Sequence, residues 1–314
     1  MKKIPVLLGP TASGKTSIGI LLAKELNAEI ISVDSRKVYK GLKIGTATPE
    51  GIYKNNTYIV EGIPHYLIAH LNPDEAYNAG SFVRDATELI KDIQSRGKLP
   101  LLVGGTGFYF KALESGLPDL PQAQIKMRIE IQKRIQSEGT TELYNEFKAK
   151  DPEAAEQIHP NDRHKIIRGL EIIHFTGEKY SSYKNQKKKS PFDFITMALT
   201  WPKDLLDQRI KERSAQMERE GMLEETEKIL SNGFPYDCPA LVSFGYKEAV
   251  QVIRGEIPRS EFLPLLIRGT IAYSKRQKTW LKTQTQAKYF ECDLSSKKRE
   301  ISLKMRDFLE TQSI

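Results

Sequence analysis

Gly9-Pro10-Thr11-Ala12-Ser13-Gly14-Lys15-Thr16 matches the pattern G-x-x-x-x-G-K-[ST], and its surroundings decide the fold. An apolar run at residues 4–8 precedes it, and apolar residues recur at helical spacing over residues 18–26 behind it. The stretch therefore joins a predicted buried strand to a predicted helix, which is the setting of a phosphate-binding loop. A chance glycine-rich turn would lack that setting.

The loop residues have the chemistry to hold a diphosphate or a triphosphate. Gly9 and Gly14 allow the backbone to wrap closely, so that N–H groups and the helix N-terminus point at phosphate oxygens. Lys15 supplies a positive charge, and the Thr16 hydroxyl is the expected ligand of a phosphate-bound Mg²⁺. Nucleotide kinases, NTPases and other diphosphate-handling enzymes share such a loop, so the loop alone leaves the reaction open.

Strand and helix patterns alternate outward from the loop. Further strands are predicted at residues 30–34, 99–103 and 195–201, with helices over residues 82–93 and 205–230. This alternation predicts an α/β fold with a P-loop NTPase-like core, in which helices flank a parallel sheet. Residues 121–190 have long charged helical stretches with almost no strand signal, so we expect an inserted all-helical domain. The core is then discontinuous, at residues 1–120 and 191–314.

The composition narrows the class of protein. The chain has 314 residues, and 48 Lys and Arg against 40 Asp and Glu give a formal net charge of +8, which favours a polyanionic partner. Cys238 and Cys292 lie far apart without ligand-like spacing to histidines, and are expected to be reduced thiols. Because no signal peptide and no run of about 18 apolar residues is found, we expect a soluble cytoplasmic protein.

Asp34 ends the second predicted strand, at the edge where ligands bind in open α/β sheets. A carboxylate there can accept a proton from a nucleophile that faces the phosphates, and a metal-associated or helix-capping role is the alternative. Asp34 is followed by the basic residues Arg36, Lys37 and Lys40 and by the aromatic residue Tyr39.

These motifs, with others in the same order along nearly the whole chain, resemble the bacterial tRNA dimethylallyltransferase family, also called IPP transferases. The further matching blocks are residues 32–35 with Tyr39 and Gly41, 44–49, Pro64-His65, 104–109, Asp151-Pro152, 160–162, Ile167-Arg168, Thr176-Gly177, 245–248, 275–277 and Thr279-Trp280.

The resemblance implies transfer of a dimethylallyl group from dimethylallyl diphosphate to N6 of adenosine 37 in tRNAs that read codons beginning with U. It also implies Mg²⁺, with Asp34, Lys15 and Thr16 as the catalytic set. The diphosphate would be held by Gly9, Thr11, Ala12, Ser13, Gly14, Lys15, Thr16 and Arg213. Residues 121–190 would be a tRNA-binding insertion. The tRNA anticodon stem-loop would be contacted by Asp34, Ser35, Arg36, Lys37, Thr106, Arg128, His164, Lys165, Arg168, Gly245, Tyr246, Lys247, Lys275, Arg276 and Gln277.

Two basic stretches are the best candidates for following a phosphate backbone. Residues 161–190 have eight Lys or Arg (163, 165, 168, 179, 184, 187, 188 and 189) against three acids, and residues 262–290 have six and no acid. The target adenine must be extruded from its stack, and Tyr39, Phe108, Tyr109 or Tyr246 could stack on a displaced base. We expect a monomer, since one chain must hold one anticodon arm.

Three positions depart from the family pattern. Ile271 stands where Arg is usual, Lys37 where Gln is common, and Ala69 where Asp is usual.

The alternative functions for this sequence are a P-loop nucleotide kinase, an isopentenyltransferase acting on free adenylate, and an RNA-binding protein with a vestigial loop. Kinases of this kind tend to be shorter, a free nucleotide does not need a large basic helical portion, and the intact Lys15, Thr16 and Asp34 speak against a vestigial loop.

Overall fold

The structure is a computed structural model, and it describes residues 3–54, 57–118, 125–184 and 189–312. The chain divides into two compact units, one formed by Met1–Glu114 with Pro191–Ile314 and the other by Ser115–Ser190. The predicted first residue of the insertion, Pro121, lies outside the described residues, as do Lys187 and Lys188 of the first basic stretch.

In its described residues the first unit is built on one sheet of eight strands: β1 (Ile4–Leu8), β2 (Ala28–Val33), β3 (Ile52–Lys54), β4 (Thr57–Val60), β5 (Ile63–Tyr66), β6 (Leu99–Gly104), β7 (Phe194–Thr200) and β8 (Lys288–Glu291). The strand order is β3-β4-β5-β2-β6-β1-β7-β8. The neighbouring strands β5, β2, β6, β1, β7 and β8 pair in parallel. At one edge of the sheet, β4 pairs antiparallel with both β3 and β5. The predicted α/β class with a mostly parallel sheet is confirmed.

The helices of this unit are α1 (Lys15–Leu26), α2 (Ala79–Ser95), α3 (Gly107–Ser115), α9 (Lys203–Arg219), α10 (Met222–Ser231), α11 (Tyr246–Ile253), α12 (Phe262–Gln284) and α13 (Lys298–Glu310). Every residue of β1 and β2 is buried, as expected for strands covered on both faces. The prediction of one helix over residues 205–230 was wrong. Gly221 has a φ of 95°, outside the helical region, and it separates α9 from α10.

The parallel strands determine where a site can form. Because β2, β6, β1 and β7 are neighbours and run in the same direction, the segments after them meet at one edge of the sheet. Those segments are the phosphate loop, Asp34, residues 105–106 and Trp201.

The second unit contains five helices in its described residues: α4 (Ile125–Glu138), α5 (Thr140–Lys150), α6 (Pro152–Glu156), α7 (Arg163–Thr176) and α8 (Tyr180–Lys184). No strand is found among those residues. Ile131, Leu143, Phe147 and Ile166 pack in its core. Buried Asp151 caps α6 by accepting from the Ala154 N–H at 3.1 Å, and its other oxygen accepts from the Ser181 N–H at 2.7 Å. In the described parts of the chain no helix has the length and apolar content needed to cross a membrane.

Candidate active site

The phosphate loop joins β1 to α1 at the carboxyl edge of the sheet. Gly14 is the N-cap of α1 and has a φ of 92°, a left-handed conformation that a residue with a Cβ rarely adopts. The Ser13 hydroxyl is buried, and no residue described by the structure forms a hydrogen bond with it. An unpartnered hydroxyl beside a helix N-terminus is suited to bind a phosphate oxygen.

Three side chains from distant parts of the chain hold the loop. The Trp201 Nε1–H donates to the Ser13 carbonyl at 3.0 Å, and the Arg209 Nε–H donates to the Ala12 carbonyl at 3.0 Å. The Arg209 guanidinium also lies over the Trp201 ring, 4.3 Å from its centroid. The Thr11 N–H donates to Gln277 Oε1 at 2.8 Å. Sequence reasoning missed Arg209, although its spacing of four residues from Arg213 on one helix face was a usable signal.

Positive charge is concentrated around the loop. Lys15, Lys37 and Arg213 line a cavity of about 490 Å³ together with Thr16 and Asp34. The Lys15 Nζ donates to the Pro10 carbonyl at 2.8 Å, and Arg213 donates to the Thr11 hydroxyl. Burial first, and then repulsion from Lys37 and Arg213, lowers the pKa of Lys15 to about 7, while Asp34 acts in the opposite direction. Burial and repulsion from Arg209 lower the pKa of Arg213 to about 10, again opposed by Asp34. Such a cavity favours a polyanionic ligand.

Asp34 lies where this cavity meets a second one. The second cavity, of about 410 Å³, shares Thr11, Asp34, Thr46, Arg213 and Tyr273 with the first, and its other walls include Phe244. Asp34 Oδ1 accepts from the backbone N–H groups of Arg36 at 2.8 Å and Lys37 at 3.2 Å. Among the described residues none donates to Oδ2. One carboxylate oxygen therefore fixes the turn after β2, and the other is available to a ligand.

The donor set of the first cavity fits a magnesium ion bound through a diphosphate. Within the described ranges no three His, Cys, Asp or Glu residues cluster as an all-protein metal site. Thr16 and Asp34, however, place a hydroxyl and a carboxylate in the same cavity. Mg²⁺ is commonly held by one or two protein oxygens together with phosphates and water, so these two donors suffice.

Comparison with known proteins identifies the family. The model of the IPP transferase family matches residues 37–284. The chain belongs to the IPP transferase family. It is 38% identical over 280 residues to the tRNA dimethylallyltransferase of Salinibacter ruber, covering 89% of this chain and 85% of the relative. It is 37% identical over 294 residues to that of Halalkalibacterium halodurans, covering 92% and 91%.

Solved structures agree with this assignment. A tRNA isopentenylpyrophosphate transferase from Bacillus halodurans matches with a TM-score of 0.70 and 36% identity, over 100% of this chain and 98% of that one. A eukaryotic dimethylallyltransferase acting on tRNA matches with a TM-score of 0.80 and 28% identity, over 99% and 80%. The resemblance drawn from the motifs is confirmed.

In this IPP transferase, several residues predicted to contact tRNA lie close to the two cavities. Thr106 Oγ1 accepts from the Ser35 N–H at 3.1 Å, and Arg36 donates to the Pro239 carbonyl at 2.7 Å. Arg276 borders the second cavity, and Lys275 is exposed on the same helix. Gln277 and Lys37, by contrast, lie at the phosphate loop, where Gln277 bridges Thr11 to the Gly105 carbonyl.

The predicted tRNA contacts in the helical unit are partly engaged with acids. Arg168 lies 3.0 Å and Arg128 3.8 Å from the same buried carboxylate, Glu171. The Lys165 ammonium lies 3.2 Å from Asp162, the residue that caps α7, and His164 follows in the first turn of that helix. The arginine pair therefore has a structural function in the IPP transferase fold, since it compensates a buried charge.

The segment 245–247 begins α11. Gly245 is its N-cap with a φ of 88°, and Lys247 is exposed. Tyr246 is only 2% exposed, and its hydroxyl donates to Glu225 at 2.6 Å. Of the four aromatic residues named as candidates for stacking on a displaced base, Tyr39, Tyr109 and Tyr246 are buried, whereas Phe108 has 65% of its surface exposed. Tyr246 nevertheless lines the second cavity. That one of the four stacks on a displaced base stays a prediction.

Proposed function

We propose that this protein transfers a dimethylallyl group from dimethylallyl diphosphate to N6 of adenosine 37 in tRNAs that read codons beginning with U. The observation that carries the proposal is the position of Asp34 between a cationic cavity and a second cavity with aromatic walls. The first suits a diphosphate, the second suits a purine base, and the relatives named above act on tRNA.

The chemistry needs an electrophilic carbon and a nucleophilic nitrogen. A bond forms between N6 and C1 of the dimethylallyl group while the C1–O bond breaks, and its electron pair leaves with the diphosphate. Lys15, Arg213 and the loop amides stabilise the charge on that leaving group. Asp34 Oδ2 accepts the proton lost from N6, so the product is a neutral secondary amine and diphosphate.

Mg²⁺ fits the Thr16 hydroxyl together with diphosphate oxygens and water, and when bound it would supply further positive charge to the leaving diphosphate. The adenine must leave the anticodon stack to reach Asp34, and the exposed ring of Phe108 is one candidate to stack on a displaced base. We also infer that one chain serves one anticodon arm as a monomer, and that it acts in the cytoplasm on tRNA.

The direct test incubates the protein with Mg²⁺, radiolabelled dimethylallyl diphosphate and unmodified tRNA, with AMP and ATP in parallel. We expect label in tRNA alone. Label in AMP would instead make the protein a free-adenylate isopentenyltransferase. No label with any acceptor would reject prenyl transfer and favour a P-loop nucleotide kinase.

Asp34→Asn tests the proton acceptor. The amide cannot take the proton, so we expect turnover to fall by roughly 10² to 10⁴ while tRNA affinity stays within about threefold. The matched control is Asp204→Asn, since the Asp204 side chain is 97% exposed in the first turn of α9. Undiminished turnover of Asp34→Asn would remove Asp34 from the reaction.

A further inference from the structure

Lys37 places its ammonium group inside the diphosphate cavity. The turn after β2 is closed by Asp34 Oδ1, which accepts the Lys37 N–H at 3.2 Å and so directs the side chain back toward the phosphate loop. The Lys37 Nζ donates to Thr16 Oγ1 at 3.4 Å, and the side chain lines the same cavity as Lys15 and Arg213. Lys37 is thus a second lysine of the phosphate site, supplied from outside the phosphate loop.

The cations of this cavity are not balanced by protein acids. Lys15, Lys37, Arg209 and Arg213 line it, whereas Asp34 and Glu212 are the only acids that line it among the residues that the structure describes. An ammonium group in these surroundings is stabilised when a multiply charged anion enters beside it.

The hydroxyl that Lys37 contacts is also the expected magnesium ligand. The Lys37 ammonium lies 3.4 Å from Thr16 Oγ1, the oxygen that would hold a magnesium ion. Two cations held at one hydroxyl would repel each other. Lys37 and the metal would therefore perform overlapping work on the diphosphate.

We propose that Lys37 is a built-in cation of the diphosphate site, which binds the diphosphate beside Thr16 and reduces the dependence of binding on Mg²⁺. This inference rests on the proposed function, because the diphosphate is its ligand. It concerns binding of the leaving group and assigns no proton transfer to Lys37.

Calorimetric titration with inorganic diphosphate measures this directly, without turnover. The titration is made in EDTA and in Mg²⁺ on the wild-type chain, on Lys37→Gln and Lys37→Met, which remove the charge, and on Lys40→Gln. Lys40 is the control because it lies on the same segment, exposed and 3.4 Å from Asn72. Thermal unfolding of each variant checks that it is folded.

We expect the wild-type chain and Lys40→Gln to bind diphosphate in EDTA, and both Lys37 variants to lose at least about tenfold in metal-free affinity. Mg²⁺ should improve binding to the Lys37 variants more than to the wild-type chain. Equal metal-free affinity of all four proteins, or binding by the wild-type chain only with Mg²⁺, would overturn the inference and leave the proposed function standing. No binding by the wild-type chain under either condition would overturn the phosphate site itself.

Discussion

Lys15 shows at the level of one residue how the fold prepares a charge for its ligand. Burial chiefly lowers the pKa of Lys15 from 10.5 to about 7, so most Lys15 side chains are neutral at pH 8. An entering diphosphate favours the charged form and raises that pKa again. Binding above pH 7 therefore takes up a proton, and Lys15 contributes less to the affinity for diphosphate as the pH rises.

We therefore expect the wild-type chain to take up more protons at pH 8 than Lys15→Arg does when each binds diphosphate, because arginine stays charged. Calorimetry in two buffers with different ionisation enthalpies gives the number of protons. Protonation of the diphosphate itself is common to both proteins and cancels in the difference. Equal uptake by the two proteins would mean that Lys15 is already charged before the ligand binds.

What the sequence predicts at this level depends on distance along the chain. The loop from Gly9 to Thr16 could be recognised because its donors are contiguous. Gln277 could not be assigned to the loop, since its partner Thr11 lies 266 residues away and only the folded sheet edge brings them together. Local pattern therefore predicts the ligand class, while the supports of the loop require the structure.

At the level of elements, α10 holds the loop after β2 through one carboxylate. Glu225 accepts from the backbone N–H groups of Lys43 at 2.7 Å, Ile44 at 2.8 Å and Gly45 at 3.3 Å, and from the Tyr246 hydroxyl. A Cβ at position 45 would lie 2.6 Å from the Tyr246 ring, so this close approach requires glycine. We call these contacts of Glu225 with residues 43–45 and Tyr246 the Glu225 clamp. The following residue, Thr46, borders both cavities, so the clamp supports a wall of the site.

Glu225→Gln replaces an acceptor by an amide whose NH₂ group faces donors. We expect it to lower the free energy of unfolding by about 1–3 kcal/mol and to weaken substrate binding, as the loop carrying Thr46 loosens. Urea unfolding and KM for dimethylallyl diphosphate measure the two effects. Glu224→Gln is the control, because the Glu224 side chain is 58% exposed with Arg259 at 3.5 Å. A Glu225→Gln protein as stable as that control would show that the clamp is dispensable.

Prediction of elements succeeded where the pattern was long and regular. The buried strands at β1, β2, β6 and β7 were found from apolar runs, whereas β3 was missed because all three of its residues are exposed. The break between α9 and α10 was also missed, since apolar residues continue at helical spacing on both sides of Gly221. Backbone conformation at one glycine decided that boundary.

At the level of the whole molecule, the two basic stretches differ in how many of their cations form ion pairs with acids. In α7, Arg168 and Lys165 have acids at 3.0 and 3.2 Å. In α12, Arg268 and Lys275 are exposed, and no Asp or Glu in the described parts of the chain forms an ion pair with either. Sequence alone made both stretches candidates for phosphate contact and could not tell which cations are paired, because pairing depends on the geometry of the folded helices.

Salt dependence distinguishes these two sets. Each phosphate contact that a cation makes adds about 0.7 to 0.9 to the slope of log affinity against log salt concentration. If α12 follows the tRNA backbone, the double variant Arg268→Gln with Lys275→Gln should reduce that slope by about 1.4 to 1.8. Lys165→Gln should change it less, since Asp162 already neutralises that ammonium. Fluorescence anisotropy of labelled tRNA across a sodium chloride series measures the slopes, with Lys304→Gln on α13 as the surface control. A double variant with the wild-type slope would place the tRNA backbone away from α12. Removing an ammonium or guanidinium that contacts phosphate reduces the number of counterions released on binding, and so must reduce the slope.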